Sequence, residues 1–411
     1  MPSSPKPSSA ASTAPGRPLT VLQVVPALDT GGAERATIDV AAALARRGDR
    51  SLVASAGGRL AAELADVGGT LVPLSVGSKG PIGIGLMALR LVRLIRREKV
   101  DIVHARSRAP AWAARLACRR TGVPLVTTFH GIYSERHAVK RRYNSVMTRG
   151  DVVIANSHYT ADLIKKRYGT PQQRIVVIPR GIDPARFHPA AVDAGRLEAL
   201  RQAWGLTGQE RLVLNLARLT AWKGQAVLIE AAALPPLALR EGIVVVLAGD
   251  AQGRAQYRRA LERSLAAHDL TGRVRIVGHC DDAPAALALA DVAAIASSEP
   301  EAFGRTAIEA AAMGIPLVAT ALGATAETVM APPRCRPEER TGWLVPPGDA
   351  AALATAIDAA LGLLPAERRA LAARAQQHAG RFTTQAMLEA TLAVYDRLLS
   401  PNNDGESFVK R

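Results

Sequence analysis

The chain reads as an α/β protein of two Rossmann-like, doubly wound domains facing each other across a cleft, and three observations predict this. Short apolar runs alternate with helix-period segments along nearly the whole length, the pattern of parallel βαβ units. That rhythm breaks once, at a proline-bearing link around residues 180–192, and then restarts. The composition suits such cores: 48% of residues are hydrophobic and only 4% aromatic, so Ala, Leu and Val fill the interior. A length of 411 residues allows two or three domains.

Taken in order, the first strands are expected at Thr20–Ala27, Ser51–Ala56, Thr70–Ser75, Asp101–Ala105, Pro124–Phe129, Val152–Asn156 and Ile175–Pro179. Helices such as Ala33–Arg46 and Ile84–Arg97 lie between them. Beyond the link, strands are expected at Leu212–Ala217, Ile243–Gly249, Val274–Gly278, Val292–Ser298 and Pro316–Thr320. Residues 342–348 read as a hairpin-like turn. The last helix, Thr384–Leu399, gathers Met387, Leu388, Leu392, Tyr395 and Leu398 on one side, a face able to pack back on the first domain. The expected organisation is a disordered lead (1–18), a first domain (19–190), a second domain (191–380), the closing helix (381–400) and a flexible tail (401–411). The lead is rich in Pro, Ser and Ala and lacks the apolar stretch of a signal peptide.

Charge divides the chain unevenly. Residues 1–190 hold 29 Lys+Arg against 12 Asp+Glu, a net +17, whereas residues 191–411 hold 23 against 24, a net −1. Such asymmetry points to an anionic partner for the first half. No helix-turn-helix, RNA-binding or zinc pattern accompanies it, so nucleic acid is not expected. An anionic membrane surface or a phosphate-bearing lipid fits better. The helix over residues 86–97 sets Arg90, Arg93 and Arg97 on one side, with Leu86, Leu89, Leu91 and Ile95 broadly elsewhere. Residues 136–149 add Lys140, Arg141, Arg142 and Tyr143. A helix with a buried apolar face explains the first segment equally well. Charges interrupt every long apolar stretch, so no membrane-spanning helix is expected. The three cysteines, Cys118, Cys280 and Cys335, are scattered singly, as in a reducing compartment. The expected location is cytoplasmic, with peripheral attachment to the inner membrane face.

Four segments carry candidate chemistry. Glu299-Pro-Glu-Ala-Phe-Gly-Arg-Thr-Ala-Ile-Glu309 sets Glu301 and Glu309 around a strand-to-helix turn containing Phe303 and Gly304. N–H groups at a helix start attract anions, and acids beside them can hold hydroxyls, which together suit a sugar nucleotide. In Ala217-Arg-Leu-Thr-Ala-Trp-Lys-Gly224, Arg218 and Lys223 flank a short loop where both cations can converge on one diphosphate. Thr30-Gly-Gly-Ala-Glu-Arg35 opens a helix with two glycines, Gly31 and Gly32, that let backbone approach a ligand. It lacks the third glycine of the dinucleotide fingerprint. His130, in Thr127-Thr-Phe-His-Gly131, stands at a strand end and could bond a sugar hydroxyl. His104 reads as structural. Gly323 gives close backbone access, and Glu327 reads equally as a favourable first-turn acid.

This set resembles the retaining family-4 glycosyltransferases of the GT-B fold, over about residues 19–399. The spacing of Glu301 and Glu309, with Arg218 and Lys223 upstream, carries the resemblance. It implies that Arg218 and Lys223 neutralise a leaving diphosphate, and that Glu309 holds ribose hydroxyls. Glu301 would contact the transferred sugar, and N–H groups at Phe303, Gly304 and Arg305 would bind sugar or phosphate. Gly31 and Gly32 would pack against the donor, His130 would reach the hexose near its anomeric centre, and Gly278 would lie near the base. Arg305, Thr306 and Ala324 depart from the family's usual residues. The implied reaction is hexosyl transfer from a nucleotide-diphosphate sugar to a glycan or glycolipid, as in envelope polysaccharide or lipopolysaccharide synthesis. Front-face attack without a protein nucleophile, no cofactor and no metal go with it, and the sequence has no Asp-x-Asp motif. The alternatives are a sugar-nucleotide epimerase of this fold or a non-enzymatic basic binding protein. An α-glucan phosphorylase is disfavoured, because Lys410 is the sole lysine after Lys223.

Overall fold

The computed structural model describes residues 17–29, 31–78, 80–133 and 137–400. Thr30, Arg136, most of the expected lead and the tail at 401–411 lie outside the described residues. The order begins β1 (Thr20–Val24), α1 (Gly32–Arg47), β2 (Arg50–Ser55), α2 (Ala61–Asp66), β3 (Thr70–Pro73), α3 (Pro81–Glu98), β4 (Ile102–Ala105) and α4 (Arg108–Thr121). It continues through β5 (Leu125–Phe129), α5 (Ala138–Asn144), β6 (Val152–Ala155), α6 (His158–Tyr168) and β7 (Ile175–Val177). These strands form a seven-stranded sheet in the order β3-β2-β1-β4-β5-β6-β7.

The second sheet is built from α7 (Ala194–Ala203), β8 (Arg211–Leu216), α8 (Gln225–Ala233), β9 (Ile243–Ala248), α9 (Ala255–Ala267), β10 (Val274–Gly278) and α10 (Ala283–Leu289). Then follow β11 (Val292–Ile295), α11 (Arg305–Ala312), β12 (Leu317–Thr320), α12 (Thr325–Thr328), β13 (Trp343–Val345), α13 (Ala350–Leu361), α14 (Pro365–Ala379) and α15 (Thr384–Leu399). Its six strands run β10-β9-β8-β11-β12-β13. By internal contacts the chain divides into two compact units, residues 1–126 and 127–411.

Parallel pairing explains the apolar runs. Every residue of β9, Ile-Val-Val-Val-Leu-Ala, is buried, as a central strand covered by helices on both faces requires. On one side, Leu228 and Ile229 of α8, Leu261 of α9 and Leu353 and Ile357 of α13 close over the sheet. On the other, Leu287 of α10, Ile308 of α11 and Ala375 of α14 do so. α15 spans the residues its periodicity predicts and buries Met387, Leu388 and Tyr395. Its start is joined to the segment after β7, where the amides of Ile182 and Thr384 donate to the carbonyls of Phe382 and Ile182.

Three sequence expectations need correction. Residues 343–345 are not a hairpin turn but a short edge strand, paired in parallel with β12 from Val318↔Trp343 to Thr320↔Val345. Several strands end earlier than their apolar runs do. β11 stops at Ile295, and beyond it the Ser298 amide donates to the Trp222 carbonyl at 2.8 Å instead of to a neighbouring strand. On α3, Leu91 and Ile95 are buried, but Leu86 and Leu89 share the exposed side with Ile82 and the arginines. Among the described residues no single helix is long and apolar enough to cross a membrane.

His104 on β4 is fully buried, and burial first, then the Arg106 charge, holds its pKa well below the ordinary histidine value. It therefore folds neutral, whereas the unfolded chain takes up a proton below about pH 6.5. The unfolded state binds more protons in that window, so stability is fully present above it and falls as pH drops through it. Urea midpoints at pH 7.5 and 5.5 should differ in that direction, and His104→Leu should shrink the difference. An unchanged difference in the variant would remove His104 as its source.

Candidate functional site

Both sheets reverse direction once, and in the second sheet the reversal lies between β8 and β11. Ligands of open parallel sheets bind beyond the carboxyl ends of strands at such a point. The two segments leaving those ends are 217–224 and 296–304, the cationic loop and the acidic turn singled out by sequence.

Close packing holds the cationic loop. Gly224 adopts φ +70°, and a Cβ there would lie 1.7 Å from the Ala296 carbonyl oxygen. Gly249 leaves room on the other side, where a Cβ would approach the Ala217 carbonyl oxygen to 1.9 Å. The Gln225 side chain, fully buried, donates from Nε2 to the Arg218 carbonyl at 3.0 Å and accepts from the Tyr257 hydroxyl at 3.1 Å. Asn215 of β8 donates to the Ala294 carbonyl at 2.8 Å, tying β8 to β11. The loop is thus set before any ligand meets it. Gly224→Ala combines a left-handed backbone with a clash against a main-chain carbonyl, so it should destabilise by more than about 2 kcal/mol. A melting temperature within a degree of the parent would contradict this.

At the acidic turn, Lys223 Nζ lies 2.5 Å from Glu301 Oε1, with side chains 15% and 12% exposed. The Ser297 hydroxyl donates to the same oxygen at 2.7 Å. Lys223 also sits 4.4 Å over the Trp222 ring. The Glu301 main chain bridges Gly323, whose φ of +65° and lack of Cβ admit it: a Cβ would stand 2.3 Å from the Glu301 oxygen. Gly304 takes φ +81° and caps α11; the Ala307 amide donates to the Gly304 carbonyl at 3.0 Å, while the Arg305 and Thr306 amides, first in the helix, have no carbonyl one turn back. Glu309 lies in the second turn, 7% exposed, and accepts from Arg305 Nε at 2.9 Å and Nη2 at 2.8 Å. Each predicted acid is therefore paired with a cation. Lys223, Glu301, Gly304 and Thr306 line one small pocket with Asn215 and Ser297.

A second group of residues fastens this turn to α6; the sequence singled out Glu327 and His130 among them, but not Ser157, Thr160 or Asn156. The Ser157 hydroxyl caps α6 and also donates to the Ala302 carbonyl at 2.7 Å; Thr160 does so at 3.2 Å. Glu327 is not just a first-turn acid of its own short helix. Its carboxylate accepts from the amides of His158 at 2.9 Å and Tyr159 at 2.7 Å, so it serves the positive end of α6. Next to Ser157, Asn156 donates to the His130 carbonyl at 3.4 Å. His130 Nδ1 lies 2.6 Å from Arg180 Nη2. His130 is thereby linked, through Asn156 and Ser157, to the turn carrying Glu301.

The other predicted residues are more dispersed. Arg218 is exposed and reaches Gln252 Oε1 at 3.5 Å, while Lys223 turns to Glu301, so the two cations are not joined by a shared partner. The Phe303 side chain is buried, edge-on to Phe382 at 5.6 Å, leaving only its backbone for a ligand. Gly278 ends β10 at φ +78°, and its carbonyl accepts from Gly249 N at 2.6 Å. Gly31 and Gly32 open α1 in the first unit; Gly31 is extended, with φ 173°, a conformation any residue adopts.

Comparisons with known proteins follow the same division. Residues 30–186 match the family described as Glycosyltransferase Family 4, and residues 197–378 match Glycosyl transferases group 1. D-inositol 3-phosphate glycosyltransferase of Salinispora arenicola is 33% identical over 316 residues, which are 72% of this chain and 68% of that protein. The chain belongs to glycosyltransferase family 4. The Salinispora tropica counterpart is also 33% identical over 316 residues, 72% of this chain but only 63% of the relative's length. Among solved structures, a glycosyltransferase from Rickettsia africae superposes on this family member with a TM-score of 0.85 at 33% identity, covering 94% of this chain and all of that one. Anabaena Alr3699/HepE, solved with UDP-glucose, gives 0.76 at 26% identity, over 92% of this chain and all of the other. The GT-B fold expected from the sequence is confirmed, with one parallel sheet for each matched half.

Proposed function

We propose that this glycosyltransferase transfers a hexose from a nucleotide-diphosphate sugar to a phosphate-bearing polyol or glycolipid, with retention of anomeric configuration. The observation carrying this reading is the Lys223–Glu301 pair beside the start of α11, at the reversal point of the second sheet. In the reaction the bond between the anomeric carbon and the diphosphate oxygen breaks. The acceptor oxygen bonds that carbon from the same face, and its proton passes to the departing phosphate. Lys223, Arg218 and the first-turn amides of α11 stabilise the developing negative charge, with no metal or cofactor in the reading. Glu301 binds sugar hydroxyls while its other partners, Lys223 and Ser297, hold it in place. Glu309 takes the ribose. HepE, a relative that binds UDP-glucose, supports the donor class.

A phosphate-bearing acceptor is supported by the +17 charge of residues 1–190 and by relatives named for inositol 3-phosphate. Envelope glycolipids present the same chemistry. Thermal-shift screening against UDP, GDP and ADP and their sugars identifies the donor, because a ligand of the native state raises its stability by mass action. Turnover with soluble inositol phosphate or with phosphoglycolipid then separates the two acceptor sources, and the anomeric proton coupling of the product reports retention. Inversion, or no binding of any sugar nucleotide, would refute the reading.

The reading also places the enzyme on the cytoplasmic face of an anionic membrane. On α3, Ile82, Leu86 and Leu89 are 80%, 55% and 43% exposed, and the same side carries Arg90, Arg93, Arg96 and Arg97. Leu116, Arg119 and Arg120 of the adjoining α4 are exposed too. An apolar stripe continued by arginines suits an acyl boundary and its phosphate headgroups. Ile82→Ser with Leu86→Ser should lower co-sedimentation with phosphatidylglycerol vesicles at least threefold and leave neutral vesicles unaffected. Equal sedimentation by parent and variant would remove α3 as the docking face.

A further inference from the structure

We infer that Arg180 is a positioning residue that fixes the tautomer of His130, making this histidine a hydrogen-bond donor and not a base; the inference rests on the transfer reading above. The argument begins with donor chemistry. A guanidinium has only N–H donors and is not deprotonated in proteins. Arg180 Nη2 stands 2.6 Å from His130 Nδ1, so Nδ1 must offer its lone pair and carries no proton. The ring proton of the neutral imidazole then resides on Nε2. Two protonated nitrogens would place an imidazolium N–H against a guanidinium N–H, which the contact forbids.

The histidine is held as well as polarised. Its main chain accepts from Asn156, whose neighbour Ser157 bonds the Ala302 carbonyl next to Glu301. The preceding residue, Phe129, is fully buried and packs at 4.6 Å on Tyr133 of the same loop. Arg180 comes from the segment directly after β7, two residues from the Ile182–Thr383 bridge that anchors that segment. A fixed ring of known tautomer is what a hydroxyl-binding donor needs. A general base needs a free lone pair on the nitrogen facing its substrate. With Nδ1 occupied and Nε2 protonated, neither nitrogen has one. Nε2 is buried in this structure, so the bound donor sugar must displace what packs over it; His130 then donates Nε2–H to a sugar oxygen and moves no proton in the reaction.

Glutamine places an amide nitrogen near the Nε2 position, and asparagine places one near Nδ1. His130→Gln should keep kcat within roughly tenfold of the parent, while His130→Asn should lose considerably more, since only the first preserves the donor. Arg180→Met should lower kcat, and Arg180→Lys, which keeps a donor at Nδ1, should restore part of it. Nitrogen-15 histidine spectra of the full-length protein provide the independent readout. At neutral pH the His130 signals, identified by their loss in His130→Gln, should show protonated Nε2 and unprotonated Nδ1, and Arg180→Met should mix the tautomers. His130→Asn outperforming His130→Gln, or a tautomer unaffected by Arg180→Met, would overturn the inference. If Arg180→Met does not fold, the lysine variant and the His130 pair still decide it. Because the spectra need no substrate, a parent enzyme that transfers no sugar would refute the functional reading and leave the tautomer separately measured.

Discussion

Lys223→Ala is expected to lower kcat/KM by about 10²- to 10³-fold, the effect of removing one preorganised donor from a developing oxyanion. The geometry makes the loss larger than that of a surface lysine. Lys223 is packed over Trp222, pinned by a glycine turn against Ala296 and paired with Glu301, so its charge is already oriented. A second consequence concerns Glu301. Without Lys223, this 12%-exposed carboxylate keeps, among the described residues, only the Ser297 hydroxyl as a side-chain partner, and the fold should lose roughly 1–3 kcal/mol. Glu301→Gln in the same chain removes the orphaned charge. The double variant should therefore be more stable than Lys223→Ala alone while remaining inactive. Steady-state kinetics with the donor found by screening, and melting temperatures of the four proteins, check both halves. A kcat/KM within threefold of the parent would end the role assigned to Lys223, and additive losses of stability would end the pairing argument.

The sequence made some of this legible and concealed the rest for identifiable reasons. β9 and β11 could be placed because strands covered on both faces must be continuously apolar. Glu301, Lys223 and Gly304 were found because a strand-to-helix turn is a local event, readable from a dozen consecutive residues. β13 was missed because three residues between Gly342 and Pro346 leave too little alternation to distinguish a strand from a turn. The anchoring of the turn was unreadable for another reason. Ser157 meets Ala302 across 145 positions, and Glu327 meets Tyr159 across 168, with no periodicity linking either pair. Ser157 carried one available signal: a serine directly between a strand and a helix is a favourable N-cap. Nothing local marked its second bond. Arg180 likewise sits in a proline-bearing link that reads as a connector, and only the fold brings it to His130. Residues that anchor the turn are thus harder to read than the candidate residues within it, because their partners are distant in sequence.

Glu309→Ala should raise the donor KM by about 10²-fold with a smaller fall in kcat, and the reason lies in where its carboxylate is held. At 7% exposure, Glu309 Oε1 takes both Arg305 donors, leaving Oε2 as the acceptor able to meet ribose hydroxyls. A buried acceptor built for a hydroxyl penalises a substrate lacking it, because the site's polar group is then left unpaired. The parent enzyme should therefore use a 2′-deoxy or 3′-deoxy nucleotide donor much less well than the ribose form. In Glu309→Ala that preference should largely vanish, since neither donor has a carboxylate to satisfy. The comparison separates binding from folding: a merely structural glutamate would depress both donors equally and lower the melting temperature. Arg305→Ala provides the control. It frees Glu309 Oε1 without removing the acceptor, so the ribose preference should survive while the carboxylate becomes less firmly placed. Should the deoxy penalty persist undiminished in Glu309→Ala, the ribose contact must be assigned elsewhere, and Glu309 would be left as the buried counter-ion of Arg305.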